Sequence, residues 1–188
     1  DIPIIEPEEY VPIEWIGFSF ASTQRDRENV GIHFFIHDFL FERVWEYLPR
    51  YDDMFMKFSA IMTPDFSTYT DWPAALQIYN HWRKHFIGAY LQSKGMCVYP
   101  TISWSDHNSY EWCFTGEPRN ATVAVSSVGT QKNKEASKLF LDGYEAMIKR
   151  LRPKTILFYG EVPKELSSEQ CIIRIEPFMK KLRRRANY

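Results

Sequence analysis

Three carboxylates each follow a short apolar run, in positions where an enzyme could use them for acid/base chemistry. Asp65 follows SAIMTP, Asp106 follows CVYPTISWS, and Glu161 follows TILFYG. A carboxyl group held among apolar and aromatic side chains is partly desolvated, which raises its pKa and suits it to act as a general base. We therefore interpret Asp65 as the main catalytic candidate, with Asp106 or Glu161 assisting it. The alternative for Asp65 is an Asx-turn that caps the following segment.

The same carboxylates offer oxygen ligands to a divalent ion. If they converge on one rim they could bind Mg²⁺ or Mn²⁺, whereas exposed acidic side chains would bind nothing. No cofactor is predicted, and no residue is assigned as a metal ligand. His81 and His85 are four residues apart on a predicted helix and could share a metal ion. They lie beside Lys84 without an HExxH-type glutamate, so the pattern favours an exposed polar face.

Aromatic and hydroxyl side chains near the strand ends could bind a base. Flat rings stack on nucleobases, while carboxylates and hydroxyls read the base edge. The stretch 126–130 (SSVGT) joins a strand to a helix, where backbone N–H groups can bind phosphate, although it lacks the Walker lysine. The alternative for this stretch is that Thr130 is a helix N-cap. The substrate-binding candidates are Asp38, Ser67, Tyr69, Trp104, Ser126, Ser127, Gly129, Thr130 and Tyr159.

Charge is distributed unevenly along the 188 residues, although the net charge is only −1. This balance argues against disorder and against a globally basic nucleic-acid binder. Residues 1–14 form an acidic, proline-containing arm that we expect on the surface. Residues 179–188 form a basic tail that could contact nucleic-acid phosphates or simply be solvated. Its cationic residues are Lys180, Lys181, Arg183, Arg184 and Arg185.

Cysteine content and hydropathy predict a cytoplasmic protein with no membrane partner. The three cysteines are widely spaced and odd in number, so they define neither a disulfide framework nor a zinc motif. The sequence contains no apolar run of about 18 residues and no signal-peptide pattern. The oligomeric state is not indicated by any of these features.

Seven short apolar runs that alternate with helical stretches are typical of parallel strands buried on both faces. We expect strands at 15–20, 31–37, 58–63, 96–103, 121–126, 155–159 and 171–175. Two long helices are predicted. The first runs from a cap at Asp71 and a first-turn Pro73 to Gly95, and the second spans 132–151 and ends before Pro153. The apolar stripe of the first helix is Leu76, Tyr79, Trp82, Phe86, Tyr90 and Leu91.

These elements predict a single α/β domain over residues 15–178 with a mostly parallel sheet. Polar clusters end at least five of the predicted strands, which favours a barrel rim over the single switch point of an open sheet. The chain is shorter than the roughly 250 residues of a regular eightfold barrel. We therefore expect a contracted or irregular TIM-barrel-like fold, with an open doubly wound sheet as the alternative.

Several segments resemble the family catalogued as domain of unknown function 4417, which occurs in phages and bacterial mobile elements. The resemblance rests on HFFIHDFLFERVW (33–45), TPDFSTYTDWP (63–73), VAVSSVGT (123–130) and IKRLRPKTILFYG (148–160), and it covers roughly residues 30–160. Family members often carry an acidic pair where this chain has His37 and Asp38. The resemblance confers no activity, but it implies a phage or mobile-element protein in a bacterial host cell, a setting in which nucleic-acid processing is common.

The function predicted from these observations is an enzyme that acts on a nucleobase, nucleotide or nucleic acid. We expect hydrolytic, glycosylase-like cleavage of the sugar–base bond. In this hypothesis Asp65 activates water, and Trp104, Tyr69 and Tyr159 stack the base. The alternative is a non-catalytic protein that sequesters a small phosphorylated ligand or a host protein. A third hypothesis is a purely structural interaction module.

Overall fold

The framework of the fold is a set of seven parallel strands. The computed structural model describes residues 1–11, 13–130, 132–166 and 171–176. The strands are β1 (Glu14–Gly17), β2 (Val30–His33), β3 (Ala60–Met62), β4 (Val98–Tyr99), β5 (Thr122–Ser126), β6 (Thr155–Tyr159) and β7 (Cys171–Ile175). β1–β4 form one sheet and β5–β7 a second, each in chain order and with parallel pairing throughout. The seven predicted strands and the α/β class are confirmed.

The two sheets adjoin where β4 leads toward β5. Ile102 N donates to the carbonyl of Ala124, and Ala124 N donates to the carbonyl of Pro100, both at 2.8 Å. The rings of His33 on β2 and Tyr159 on β6 are 4.7 Å apart, although these strands are not neighbours. Such a contact requires the strand array to curl, because a flat sheet would hold β2 and β6 far apart. The arrangement is therefore a single α/β domain in which two parallel sheets curl around a shared interior, consistent with the expected contracted, barrel-like fold.

Side chains from both sheets fill the inside of the curl. This inner cluster comprises Ala60, Met62, Tyr99, Ala124, Leu157, Tyr159 and Ile175, with Tyr10, Ile13 and Trp15 packed against it. Helices cover the outside, namely α1 (Glu42–Glu46), α2 (Asp52–Phe55), α3 (Ala74–Ser93) and α4 (Lys134–Leu151). Four 3₁₀ segments lie at Phe18–Phe20, Asp38–Leu40, Leu48–Tyr51 and His107–Glu111. Burial on both faces explains why β2–β6 are mostly apolar, whereas the edge strands β1 and β7 are partly exposed.

Helix α4 follows the sequence prediction closely. Its apolar stripe buries Phe140, Tyr144 and Met147 against the outer face of β5 and β6. Asn133 is the N-cap, because its side chain accepts a hydrogen bond from Ala136 N at 2.8 Å. The alternative that Thr130 caps this helix is therefore wrong.

Helix α3 buries a different face from the one that the sequence predicts. It buries polar residues, namely Gln77, Asn80, His81, Arg83, Lys84 and His85. Leu76, Tyr79 and Phe86, which were predicted to face the core, are 51%, 43% and 41% exposed. The predicted apolar stripe is therefore wrong for Leu76, Tyr79 and Phe86, although Leu91 is buried at 1% exposure. The prediction that His81 and His85 are exposed is also wrong. Asp71 does not cap the helix, whose N-cap position is Pro73 without a side-chain hydrogen bond.

The amino-terminal arm is attached to the domain at several points. Ile5 is 1% exposed, and its N–H donates to the carbonyl of Gly116 at 2.9 Å. Glu6 exchanges two hydrogen bonds with the side chain of Gln92 on α3. The expectation of a surface arm is therefore wrong for Ile5. The predicted basic tail at 179–188 lies outside the described residues. Within the described ranges, no helix is both long and apolar enough to cross a membrane.

Candidate functional site

A cavity of about 360 Å³ opens where β3, β4 and β5 end. Asp65 lies in the segment after β3, Ser103 and Trp104 lie after β4, and Ser126 ends β5. The remaining lining residues come from two loops and from α4, namely Thr68, Tyr69, Thr70, Ile102, Ser105, Val125, Val128, Gly129, Thr130, Ala136, Leu139 and Phe140. The volume is at the lower end of the range for small-molecule sites, roughly 300–1,000 Å³.

Asp65 is the one ionisable carboxyl group among the cavity-lining residues that the structure describes. Its side chain is enclosed by protein but reaches the cavity, so the residue is half-buried. Burial raises the pKa of Asp65 to about 7, with the charge of Lys84 opposing this shift and the charge of Asp38 adding to it. Near neutral pH the group therefore exists in both protonation states, which favours a role in general acid/base catalysis.

The loop that carries Asp65 is held by side chains behind it. Ser67 donates two hydrogen bonds to Asp38, from its backbone N at 2.9 Å and from Oγ at 3.0 Å. Asn80 Nδ2 donates to the carbonyl of Ser67 at 2.6 Å. Asp38 and Ser67, predicted as substrate-binding residues, do not line the cavity and instead fix the loop beside it.

A buried lysine lies beneath the rim. Thr101 donates two hydrogen bonds of 2.8 Å to Thr63, from its backbone N to Oγ1 and from its Oγ1 to the carbonyl, which joins the ends of β3 and β4. Lys84 Nζ donates to the carbonyl of Thr101 at 2.7 Å and to Glu117 Oε1 at 2.8 Å. Burial raises the pKa of Glu117, but the charges of Lys84 and His85 outweigh this effect and lower it to about 2. The ion pair thus anchors α3 under the rim and brings a positive charge close to Asp65.

The other two predicted catalytic carboxylates have different partners. Asp106 caps the 3₁₀ segment that follows it, because its side chain accepts from Asn108 N and Ser109 N. Glu161 is exposed and pairs with Arg174 at 2.6 Å. Neither lines the cavity, so the structure does not bring the three carboxylates together there.

Of the three aromatic candidates, two line the cavity and one does not. Trp104 forms a cavity wall, where its Nε1 donates to the carbonyl of Leu139 at 3.2 Å. Tyr69 lies at the mouth and is 56% exposed. Tyr159 instead points into the curl and stacks on Phe35 at 4.9 Å, so its prediction as a cavity wall is wrong. The physical reason is strand alternation, which directs Tyr159 inward with Leu157.

Three backbone N–H groups of the loop 126–130 already have acceptors within the protein. Ser127 N donates to the carbonyl of Tyr159, Val128 N to Ser126 Oγ, and Thr130 N to the carbonyl of Ser127. Ser127 Oγ donates to the carbonyl of Glu161, so this serine does not line the cavity. Ser126, Gly129 and Thr130 do line it. The engaged N–H groups make the predicted phosphate-binding role of this loop less favourable.

Sequence reasoning missed four hydroxyl side chains of the lining, namely Thr68, Thr70, Ser103 and Ser105. Each lies within a few residues of a candidate that was chosen, so proximity to a strand end was the available signal. No described lining residue carries a positive charge. The cavity therefore combines one carboxyl group, many hydroxyl groups and apolar walls.

Gly143 of α4 determines where the Trp104 wall can lie. A Cβ atom at position 143 would overlap the indole of Trp104. We expect Gly143→Ala to lower the free energy of unfolding by about 1–3 kcal/mol, because overpacking forces side chains off their rotamers. Urea denaturation followed by tryptophan fluorescence measures this loss. Gly17→Ala is the control, since its nearest contact would be an ordinary 3.5 Å, and an equal loss in both variants would contradict the assignment.

Comparison with known proteins places the chain in a family. The model for the domain of unknown function DUF4417 matches residues 1–176. The chain is 35% identical over 165 residues to the Gene 1 protein of Mycobacterium phage L5, covering 86% of this chain and 72% of that protein. It is also 35% identical over 167 residues to the Gene 1 protein of Mycobacterium phage D29, covering 86% of this chain and 61% of the relative. No solved structure matches. The chain therefore belongs to the DUF4417 family and is related to phage proteins.

Proposed function

We propose that the cavity binds a nucleobase or nucleoside and that Asp65 activates a water molecule to hydrolyse the sugar–base bond. The observation that carries this proposal is a half-buried carboxyl group in a cavity of small-molecule size beside an indole wall. A carboxyl group with a perturbed pKa in a concave site is a candidate for acid/base chemistry.

The composition of the lining favours an uncharged substrate. A free phosphate group normally meets cationic side chains or unengaged backbone N–H groups. The described lining contains no cation, and three N–H groups of the loop 126–130 are already bonded. Hydroxyl groups suit the edges of a base and the hydroxyls of a sugar, while Trp104 offers a face for stacking. A nucleoside therefore fits this cavity better than a nucleotide.

The proposed reaction needs one general base, Asp65, and one water molecule. Asp65 in its ionised form accepts a proton from water as the water oxygen bonds to the anomeric carbon. The bond between that carbon and the base nitrogen breaks, and its electron pair leaves with the base. The leaving nitrogen then takes a proton from solvent, so that the products are the free base and the sugar. General-base assistance of this kind contributes roughly 10²–10⁴-fold to a rate.

The pH dependence of this reaction follows from the role of Asp65. Only the ionised carboxyl group can accept the proton, and the pKa of Asp65 is about 7. We expect kcat/KM for a cleaved nucleoside to rise with pH and to level off above about pH 7. Initial rates between pH 5 and pH 9 test this. A rate that falls as the pH passes through 7 would contradict water activation by Asp65.

One observation favours a second candidate, a protein that binds the base without cleaving it. Glycoside hydrolysis commonly uses two carboxyl groups, and Asp106 and Glu161 both lie outside the cavity lining. Under this alternative, Asp65 would hydrogen-bond the base edge. Calorimetric titration with nucleosides would then show binding that Asp65→Asn weakens, while prolonged incubation would release no free base.

A further inference from the structure

A second group of polar side chains lies under the rim, apart from the cavity lining. His81, His85 and Glu117 each have one potential ligand atom, and these atoms lie within 4.8 Å of one another. The three residues are 3%, 0% and 8% exposed. In the part of the chain that the structure describes, these three side chains form the one group of histidine, cysteine or acidic residues close enough together to share a metal ion. We call it the His81–His85–Glu117 cluster.

The two histidine rings have the hydrogen bonds that orient metal ligands. His81 Nε2–H donates to the carbonyl of Thr115 at 2.9 Å, and His85 Nδ1–H donates to the carbonyl of Pro3 at 2.8 Å. Metal-binding histidines almost always donate one ring N–H to a carbonyl or carboxylate in this way. This bond leaves Nδ1 of His81 as a ligand atom. Nε2 of His85 is hydrogen-bonded to Glu117 and becomes a ligand when an incoming ion displaces its proton.

Glu117 supplies a third ligand. Its Oε1 accepts from Lys84 Nζ at 2.8 Å and from Nε2–H of His85 at 2.9 Å. Its Oε2 is buried and makes no hydrogen bond. A buried carboxylate oxygen without a partner is unusual in proteins, and a cation would satisfy it. A carboxylate that binds a metal through one oxygen and accepts a hydrogen bond at the other is a normal arrangement.

We infer that the His81–His85–Glu117 cluster binds a transition-metal ion, with Zn²⁺ the best fit. Two imidazoles four residues apart on one helix and a carboxylate form a ligand set that zinc uses. The ammonium group of Lys84 opposes the charge of the ion, so we expect moderate rather than very tight affinity. Because His85 contacts Pro3 and Glu117 follows Gly116, the ion would fasten the amino-terminal arm to α3. This inference does not depend on the proposed hydrolysis.

The experiment uses the whole chain purified without chelator, stripped with EDTA, and titrated with Co²⁺ as a spectroscopic substitute for Zn²⁺. We expect visible d–d absorption that saturates near one equivalent and disappears when Zn²⁺ is added. Elemental analysis of the protein after Zn²⁺ loading and desalting should give about one zinc per chain. A wild-type chain that shows no absorption with excess Co²⁺ and retains no zinc would overturn the inference.

Two variants locate the ion. His81→Asn removes one ligand but leaves the Lys84–Glu117–His85 contacts in place, and we expect at least tenfold weaker Co²⁺ binding. His107→Asn changes an exposed histidine outside the cluster and should bind Co²⁺ like the wild type. Circular dichroism of each variant shows whether it has folded. If folded His81→Asn binds Co²⁺ as tightly as His107→Asn does, the ion is elsewhere and the inference is wrong.

Discussion

Replacing Glu117 with glutamine should lower the free energy of unfolding by about 3–5 kcal/mol, because the variant leaves the buried ammonium of Lys84 without a counter-charge. The side chains of Lys84 and Glu117 are 2% and 0% exposed, and no solvent can replace the lost carboxylate. Urea denaturation at pH 7 measures this loss. EDTA in every sample removes any contribution from bound metal.

The matched control for Glu117→Gln is Glu161→Gln. Glu161 also pairs with a cation, Arg174, but both side chains are about half exposed. Exposed pairs contribute about 0–1 kcal/mol, so this variant should unfold nearly like the wild type. A second comparison adds Lys84→Met to Glu117→Gln. The double variant should lose less than the sum of the single losses, because neither charge is then left alone. Equal losses in both glutamine variants would contradict a dominant buried pair.

Replacing Asp65 with asparagine should have opposite effects on catalysis and on stability. We expect hydrolysis to fall by roughly 10²–10⁴-fold, since the amide cannot accept a proton from water. The folded protein should become more stable at high pH. The pKa of Asp65 is about 7 in the folded protein, against 3.8 for an ordinary exposed aspartate, so ionisation costs the native state free energy as the pH rises between these values.

Because ionisation of Asp65 destabilises the folded protein, the stabilisation by Asp65→Asn should increase with pH. Between pH 5 and the folded-state pKa of about 7, the gain in unfolding free energy grows by roughly 1.4 kcal/mol for each pH unit. The gain at pH 8 should therefore exceed the gain at pH 5 by about 2–3 kcal/mol. Urea denaturation of both proteins at the two pH values gives the difference. Such stabilisation on loss of a functional group is a common trade-off.

Asp106→Asn is the control for both effects of Asp65→Asn. It makes the same chemical change on the same rim, but Asp106 lies outside the cavity lining and caps a 3₁₀ segment. Asparagine also accepts hydrogen bonds at such positions, so the cap should persist. Activity and the pH dependence of stability should both stay close to wild type. A comparable loss of activity in this control would move the site away from Asp65.

The strands and α4 were predictable because the sequence patterns that specify them lie within a few consecutive residues. The strands β2–β6 are short runs buried on both faces, and α4 repeats its apolar residues at helical spacing from Phe140 to Leu151. Both patterns can be read within a window of a few residues.

The position of helix α3 was predicted, but its buried face was not, because much of that face is polar and its partners lie far along the chain. Lys84 contacts Thr101 and Glu117, and His85 contacts Pro3. No local pattern reveals these partners, so the polar face of α3 looked like a solvated one.

The candidate site was predictable only as a location. The ends of β3, β4 and β5 do form a cavity, and Asp65 and Trp104 lie in it. Position at a strand end does not show which way a side chain points, however. Asp106 turns back to cap its own segment, and Tyr159 points inward. The relevant signal is the register of each strand with its neighbours, which single-sequence patterns do not contain.

The most direct test is to incubate the wild type, Asp65→Asn and Asp106→Asn with a panel of ribo- and deoxyribonucleosides and to measure free base by liquid chromatography. Short DNA and RNA in the same panel test for polymer substrates. We predict that the wild type and Asp106→Asn release base from at least one nucleoside, and that Asp65→Asn releases it at least about 100-fold more slowly. Base release that is equal in the wild type and folded Asp65→Asn, or absent from the wild type with every substrate, would contradict hydrolysis at this cavity.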